Sequence, residues 1–230
     1  MTRLPEITQL ELGTFRFPDP ELQHRQGVVM GFAIRHAGGI FLFDTGFGFG
    51  NKELEERYHP EPRRIGDVLE EAGMSLDDVT AVANCHLHVD HAGQNSAFPD
   101  RPIFTQAAEW ELAHTTDHTI LEWIDFPNAS YVPLTGDHVP CDGCRIVATP
   151  GHTLGHQSLA VETANGLVVL AGQAVYTVEE WAGTPDVFEG RSGAPDKDVY
   201  DASVDRLREL EPERVFFGHD RRSWQRIQPG

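Results

Sequence analysis

Residues 86–91 read HLHVDH, which sets His86, His88, Asp90 and His91 within six positions. Imidazole nitrogens and a carboxylate are donors that zinc takes, about four to an ion. The run follows the apolar segment VTAVANC, so it stands just past a buried strand. Side chains alternate along an extended chain. His86 and His88 therefore point to one side, and Asp90 and His91 can face a second point nearby. Such a cluster suits two ions rather than one. Two ions need further donors, and His152 in TPGHTLGH and His219 in FFGHD stand at other strand ends. The set then divides into His86, His88 and His152 at one ion and Asp90, His91 and His219 at the other, with a bridging hydroxide completing both.

The elements that must position these groups can be read from patterning. QLELGTFRF, VVMGFAIRH and IFLFDTG alternate and are separated by turn residues, as antiparallel strands are. Residues 52–58 and 63–72 read as helices, the second stopping at Gly73. PIFTQ is a strand and AAEWELAH a helix, whereas 115–130 has no clear period. VPCDGCRIVATPG is a hairpin around Asp142-Gly143, and QSLAVET and GLVVLAG form another around Asn165-Gly166. Residues 177–196 read as a long loop, DVYDASVDRLREL as a helix and RVFFG as a short strand. Two sets of strands, each followed by helices, predict an α/β (α+β) chain with two face-to-face sheets and helices outside.

Composition narrows the partners. The 230 residues suit one domain, 1–230, with a substantial core. Asp and Glu number 36 against 18 Lys and Arg, a net charge of -18. That balance argues against nucleic acid and anionic membranes, because the basic stripe that neutralises phosphate is missing. It fits an uncharged small molecule or a cation. No apolar stretch approaches a membrane span and the first residues carry no apolar signal core, so a cytoplasmic location is expected. Three cysteines, Cys85, Cys141 and Cys144, make no even disulfide framework. Of the twelve histidines, His24, His36 and His59 are expected to be incidental surface residues.

With FDTG at 43–46, HLHVDHAG at 86–93, TPGHTLGHQS at 149–158, LAGQAVY at 170–176 and FFGHD at 216–220, the chain resembles the metallo-β-lactamase superfamily over most of its length. Within it the sequence is most similar to N-acyl homoserine lactone lactonases, on the wording around HLHVDHAGQNSAF and TPGHTLGHQSLAVET and on Tyr176. The resemblance implies an αββα sandwich with two divalent ions, zinc by preference, at one edge. It implies a quorum-quenching hydrolase in which metal-bound hydroxide attacks a lactone carbonyl. Tyr176 would stabilise the oxyanion, and Asp90 would ligate metal and pass a proton to the leaving alkoxide. Asp44 and His156 would support the ligands from behind. Other ester, thioester (glyoxalase II-like) or β-lactam hydrolysis on the same fold, and a metal binder without catalysis, are the alternatives.

One position departs from the family. Gln173 stands where an aspartate bridges the two ions. An amide oxygen is a weak ligand and a poor bridge, so the second ion is expected to bind less tightly. One subclass of true metallo-β-lactamases holds two ions with the same six ligands and no bridging aspartate, so the substitution does not by itself imply an inactive site. The large apolar residues Phe47, Phe49, Trp123, Phe126, Trp181 and Phe188 are candidates for an acyl-chain pocket, with core packing or a homodimer contact as their other use. CDGC at 141–144 reads as a hairpin turn rather than as half a zinc site or a redox pair, since no second CxxC exists. Cys85 is expected to turn its thiol away from the histidines into the core.

Overall fold

The computed structural model describes residues 4–18, 22, 25–117, 119–184 and 194–227. His24 and Phe188 lie outside the described residues. The first sheet contains β1 (Glu6–Arg16), β2 (Gln26–His36), β3 (Gly39–Phe43), β4 (Glu61–Pro62), β5 (Val79–Ala83), β6 (Pro102–Gln106) and β7 (Ser130–Leu134), in the spatial order β4-β1-β2-β3-β5-β6-β7. The second contains β8 (His138–Cys141), β9 (Cys144–Ala148), β10 (Gln157–Thr163), β11 (Gly166–Leu170), β12 (Arg214–Phe217) and β13 (Asp220–Gln225), in the order β13-β12-β11-β10-β9-β8. Helices α1 (Lys52–Tyr58), α2 (Ile65–Glu71), α3 (Ala107–Thr115) and α4 (Leu121–Ile124) follow strands of the first sheet, and α5 (Val178–Trp181) and α6 (Lys197–Glu209) those of the second.

Three apolar layers hold this arrangement. Between the sheets, Phe32 and Ile34 of β2, Phe41 and Phe43 of β3 and Phe104 of β6 meet Ile146, Leu159, Val161 and Leu170 of the second sheet. On the outer face of the first sheet, Leu10, Leu12, Val29 and Leu42 pack on Leu54 of α1 and Val68 and Leu69 of α2. On the outer face of the second, Val147, Ala160, Val169 and Val215 pack on Tyr200, Val204 and Leu207 of α6. The order is helix, sheet, sheet, helix. β2 is buried at eight successive positions, because both of its faces are covered.

The main strands and helices follow the sequence pattern, but β4 and β13 are not expected from it, and three further stretches differ. The helix expected over 63–72 runs Ile65–Glu71, since Arg64 is extended. The aperiodic stretch 115–130 contains the single turn α4 and leads into β7. Residues 177–196, expected as a loop, open with α5, which Thr177 caps by accepting from the Glu180 N–H at 3.2 Å. Among the described residues no helix is long and apolar enough to cross a membrane.

Candidate metal centre

β5 stops at Ala83 and the chain turns, so residues 84–93 no longer alternate. Asp44, directly after β3, controls that turn. It sits at φ 66°, a left-handed conformation that costs energy for any residue but glycine. Its Oδ1 accepts from the Cys85 N–H at 2.7 Å and its Oδ2 from His91 Nδ1 at 2.9 Å. The turn is tightened by Gly93, whose missing side chain would stand 2.0 Å from the Gly48 nitrogen. No other residue fits there.

The turn brings donor atoms together in two groups. His86 Nε2 lies 2.7 Å from His88 Nδ1, and His152 Nε2 lies 3.1 Å from the same His88 nitrogen. His91 Nε2 and His219 Nε2 are 3.2 Å apart, with Asp90 Oδ2 at 3.5 Å from the first and 3.6 Å from the second. Gln173 Oε1 lies 3.2 Å from both of those nitrogens. Both expected triads are therefore assembled, and the amide oxygen joins the second.

The protonation pattern tests whether a cation fits. A carboxylate and a carbonyl only accept, so His91 Nδ1 donates to Asp44, and His219 Nδ1 donates to the Val28 carbonyl at 2.8 Å. In the neutral rings the Nε2 atoms are then lone pairs. Two nitrogen lone pairs, a carboxylate oxygen and an amide oxygen face one point. Donors about 2.0–2.1 Å from a tetrahedral zinc stand about 3.3 Å from one another, close to the spacing of this set. The residues fit a divalent ion. The electrostatics agree at His86 and His219, whereas at His91 a cation must displace a proton from Nε2. Burial and the neighbouring histidines hold His86 well below the usual imidazole range. Burial also takes His219 down to about 4. In His91 burial works downward, but the Asp90 and Asp44 carboxylates win and raise it to about 9.

Several supports were not legible in the sequence. Buried Glu109 of α3 accepts from the Leu87 N–H at 2.8 Å and from the Thr153 hydroxyl at 2.6 Å. It thereby ties the loop carrying His86 and His88 to the loop carrying His152. An acid in the first turn of a helix reads as a solvated residue, so nothing in its spacing marks it. His156 is not a member of either triad. Its Nε2 accepts from the Gln173 N–H at 3.0 Å and its Nδ1 faces Thr149 Oγ1 at 2.9 Å, which fixes the backbone that presents the amide. Cys85 packs in the core between the sheets as expected, but its thiol does not turn away from the histidines. Its thiol lies 3.1 Å from His86 Nδ1 and 3.3 Å from His91 Nδ1, against the rear of both rings. The alternation that would have pointed it away ends with β5.

Tyr176 stacks on the His219 ring, with centroids 4.3 Å apart and planes at 18°. Its N–H donates to buried Glu180, which also accepts from the Tyr200 hydroxyl at 2.9 Å. Burial, then the charges of Asp90 and Glu180, keep the phenol protonated well above its usual range. Tyr176, His88, Asp90, His152 and Gln173 line a cavity of about 660 Å³, together with Phe15, Phe17, Phe47, Leu54, Val89, Ile120 and the exposed Glu53, Arg57 and Asp117. Among the apolar candidates from sequence, Phe47 lines it. Phe49, Trp123, Phe126 and Trp181 do not. Phe49 lies under the Arg64 guanidinium, Trp123 and Phe126 pack on the core of the first sheet, and Trp181 is buried on the outer face of the second. Size and hydrophobicity are common to pocket and core residues, so composition could not separate them.

Residues 25–219 match the Metallo-beta-lactamase superfamily. The chain belongs to that superfamily. An N-acyl homoserine lactonase from a Bacillus species is 39% identical over 164 residues, which cover 70% of this chain and 63% of that protein's length. Two solved structures align over 96% of this chain. One is a B. thuringiensis AiiA variant with N-decanoyl-L-homoserine bound at the active site (28% identity, 95% of that chain, TM-score 0.79). The other is an N-acyl homoserine lactone hydrolase with N-hexanoyl-L-homoserine bound at the catalytic metal center (27% identity, 94% of that chain, TM-score 0.77). The superfamily fold implies divalent metal binding, and the two donor groups could hold such ions.

Proposed function

We propose that the protein is a metal-dependent hydrolase that opens the lactone ring of N-acyl homoserine lactones, a quorum-quenching activity. The observation that carries this reading is that members of both donor sets (His88 and His152, Asp90 and Gln173), a protonated tyrosine and an apolar wall line one cavity. The similarity to lactonases with acyl-homoserine products in the same fold supports it. His86, His88 and His152 would hold one ion, and Asp90, His91, His219 and the Gln173 amide the other, with zinc the ion of choice for nitrogen-rich sets. When bound, the ions lower the pKa of water and polarise an ester carbonyl.

The chain's own residues supply the rest. The Tyr176 hydroxyl donates to the carbonyl oxygen as negative charge grows on it. The Asp90 carboxylate carries a proton to the departing ring oxygen, which leaves as the homoserine hydroxyl. Phe15, Phe47, Leu54, Val89 and Ile120 take the acyl chain and exclude water from it. Asp44 and Glu109 keep the histidines in place. Three free thiols suit a reducing compartment, so the site of action is the cytoplasm.

The test is protein loaded with zinc, cobalt or manganese and followed for acid release from lactones of several chain lengths, with nitrocefin and a thioester in parallel. Lactone turnover well above buffer is expected. Cleavage of nitrocefin or thioester with lactones untouched would overturn the substrate class. Bound metal without hydrolysis of any of the three would overturn the enzyme.

A further inference from the structure

The cysteines of CDGC take no part in the metal centre. Cys141 ends β8 and Cys144 opens β9, and they are register partners across the turn Asp142-Gly143. Directly opposed residues of an antiparallel pair have α-carbons about 4.5–5.5 Å apart. That lies inside the roughly 4.4–6.8 Å range that a disulfide spans without moving the backbone. Gly143 makes the turn possible at φ 75°. Both cysteines are free thiols. Their surroundings differ. Cys141 is half-buried on the edge strand of its sheet, whereas Cys144 is 2% exposed.

We infer that Cys141 and Cys144 form a peroxide-reactive dithiol, with Cys141 as the attacking and Cys144 as the resolving sulfur. The Cys141 thiolate attacks a hydroperoxide. An S–O bond forms, the O–O bond breaks, and the leaving oxygen departs as water or alcohol with a proton. The Cys144 sulfur then attacks the resulting sulfenic acid. An S–S bond forms, the S–O bond breaks, and the hydroxide leaves as water with the Cys144 proton. Two thiols lose two electrons in total and one hydroperoxide is reduced; a dithiol reductant resets the pair. The pairing of the two thiols favours this division, since the neighbouring sulfur draws the Cys141 thiol below its usual value and, with burial, pushes Cys144 far above its own. Four residue steps along β9 lead from Cys144 to Ala148, where the chain enters the His152 loop, a path of about 13 Å. The bridge therefore forms away from the metal donors.

The experiment treats native protein with hydrogen peroxide in small excess, then alkylates, denatures and maps peptides by mass. A single intramolecular Cys141–Cys144 disulfide is expected, lost on adding dithiothreitol, with Cys85 reduced. The Cys144→Ser variant should stop at a sulfenic acid on Cys141 that dimedone traps, and Cys141→Ser should lose peroxide consumption at least tenfold. Wild-type protein that stays fully reduced, is over-oxidised at Cys141 without a bridge, or links only between chains would overturn the inference. The wild-type result stands whether or not either variant folds.

Discussion

At the scale of single residues, Gln173 and Tyr176 lie three positions apart and do opposite things to the site. The Gln173 oxygen approaches the His91 and His219 nitrogens at 3.2 Å, within reach of any cation held there, although it brings no charge. Replacing it with aspartate adds one negative charge where the cations would sit. Gln173→Asp should tighten the second ion by about tenfold or more. Metal counting after buffer exchange reads this directly, and equal occupancy in both proteins would remove the amide as the weak point. Tyr176→Phe keeps the stacking on His219 and deletes one hydroxyl. It should lower kcat for lactone opening by about a hundredfold, with metal content unchanged. A loss in KM alone would make Tyr176 a binding residue rather than a stabiliser of developing charge.

At the scale of elements, the donors arrive on loops, and the precision comes from helices and glycines that hold those loops. Glu109→Ala leaves a buried N–H and a buried hydroxyl without their acceptor. It should cost roughly 3 kcal/mol and also lower metal content, because it releases both histidine loops at once. Denaturant unfolding with parallel metal analysis separates this from a purely local effect, in which stability falls and metal content does not. The same elements explain what the sequence could reveal. Strands such as Gly39–Phe43 and Gly166–Leu170 announce themselves by apolar patterning between turns. The donors are legible because six reactive residues stand just past such strands. β13, DRRSWQ, is not, since an edge strand covered by polar side chains carries no apolar signal. The cavity wall is not legible either. Phe15 and Ile120 come from opposite halves of the first 120 residues, and their meeting depends on tertiary packing. Cys85 misled because a period-two rule holds only as far as the strand does.

At the scale of the whole molecule, the edges of the two sheets are joined by charge as well as by the apolar core. Arg221 of β13 grips Glu11 of β1 through two hydrogen bonds of 2.6 and 2.7 Å. The hydrogen bond and the guanidinium charge hold Glu11 below its ordinary value of 4.5. The pair's stabilisation is fully present above that value and fades as the pH falls through the depressed one. Both side chains are more than a third exposed, at 55% and 37%, so Arg221→Met should cost less than about 1 kcal/mol at neutral pH. The difference from wild type should shrink in acid, as read by unfolding curves across pH. A difference that grows in acid would contradict the assignment. The donor atoms have a larger mechanical meaning. His86, His88, Asp90 and His91 hang from the first sheet, and His152, Gln173 and His219 from the second. Each triad draws from both, so an ion at either position is a cross-link between the two halves of the sandwich. Chelation should therefore loosen the protein and not only silence it. At free metal a hundredfold above its dissociation constant, each ion adds about 2.7 kcal/mol to the folded state. A melting midpoint that rises with zinc and falls with chelator would register the ions as rivets.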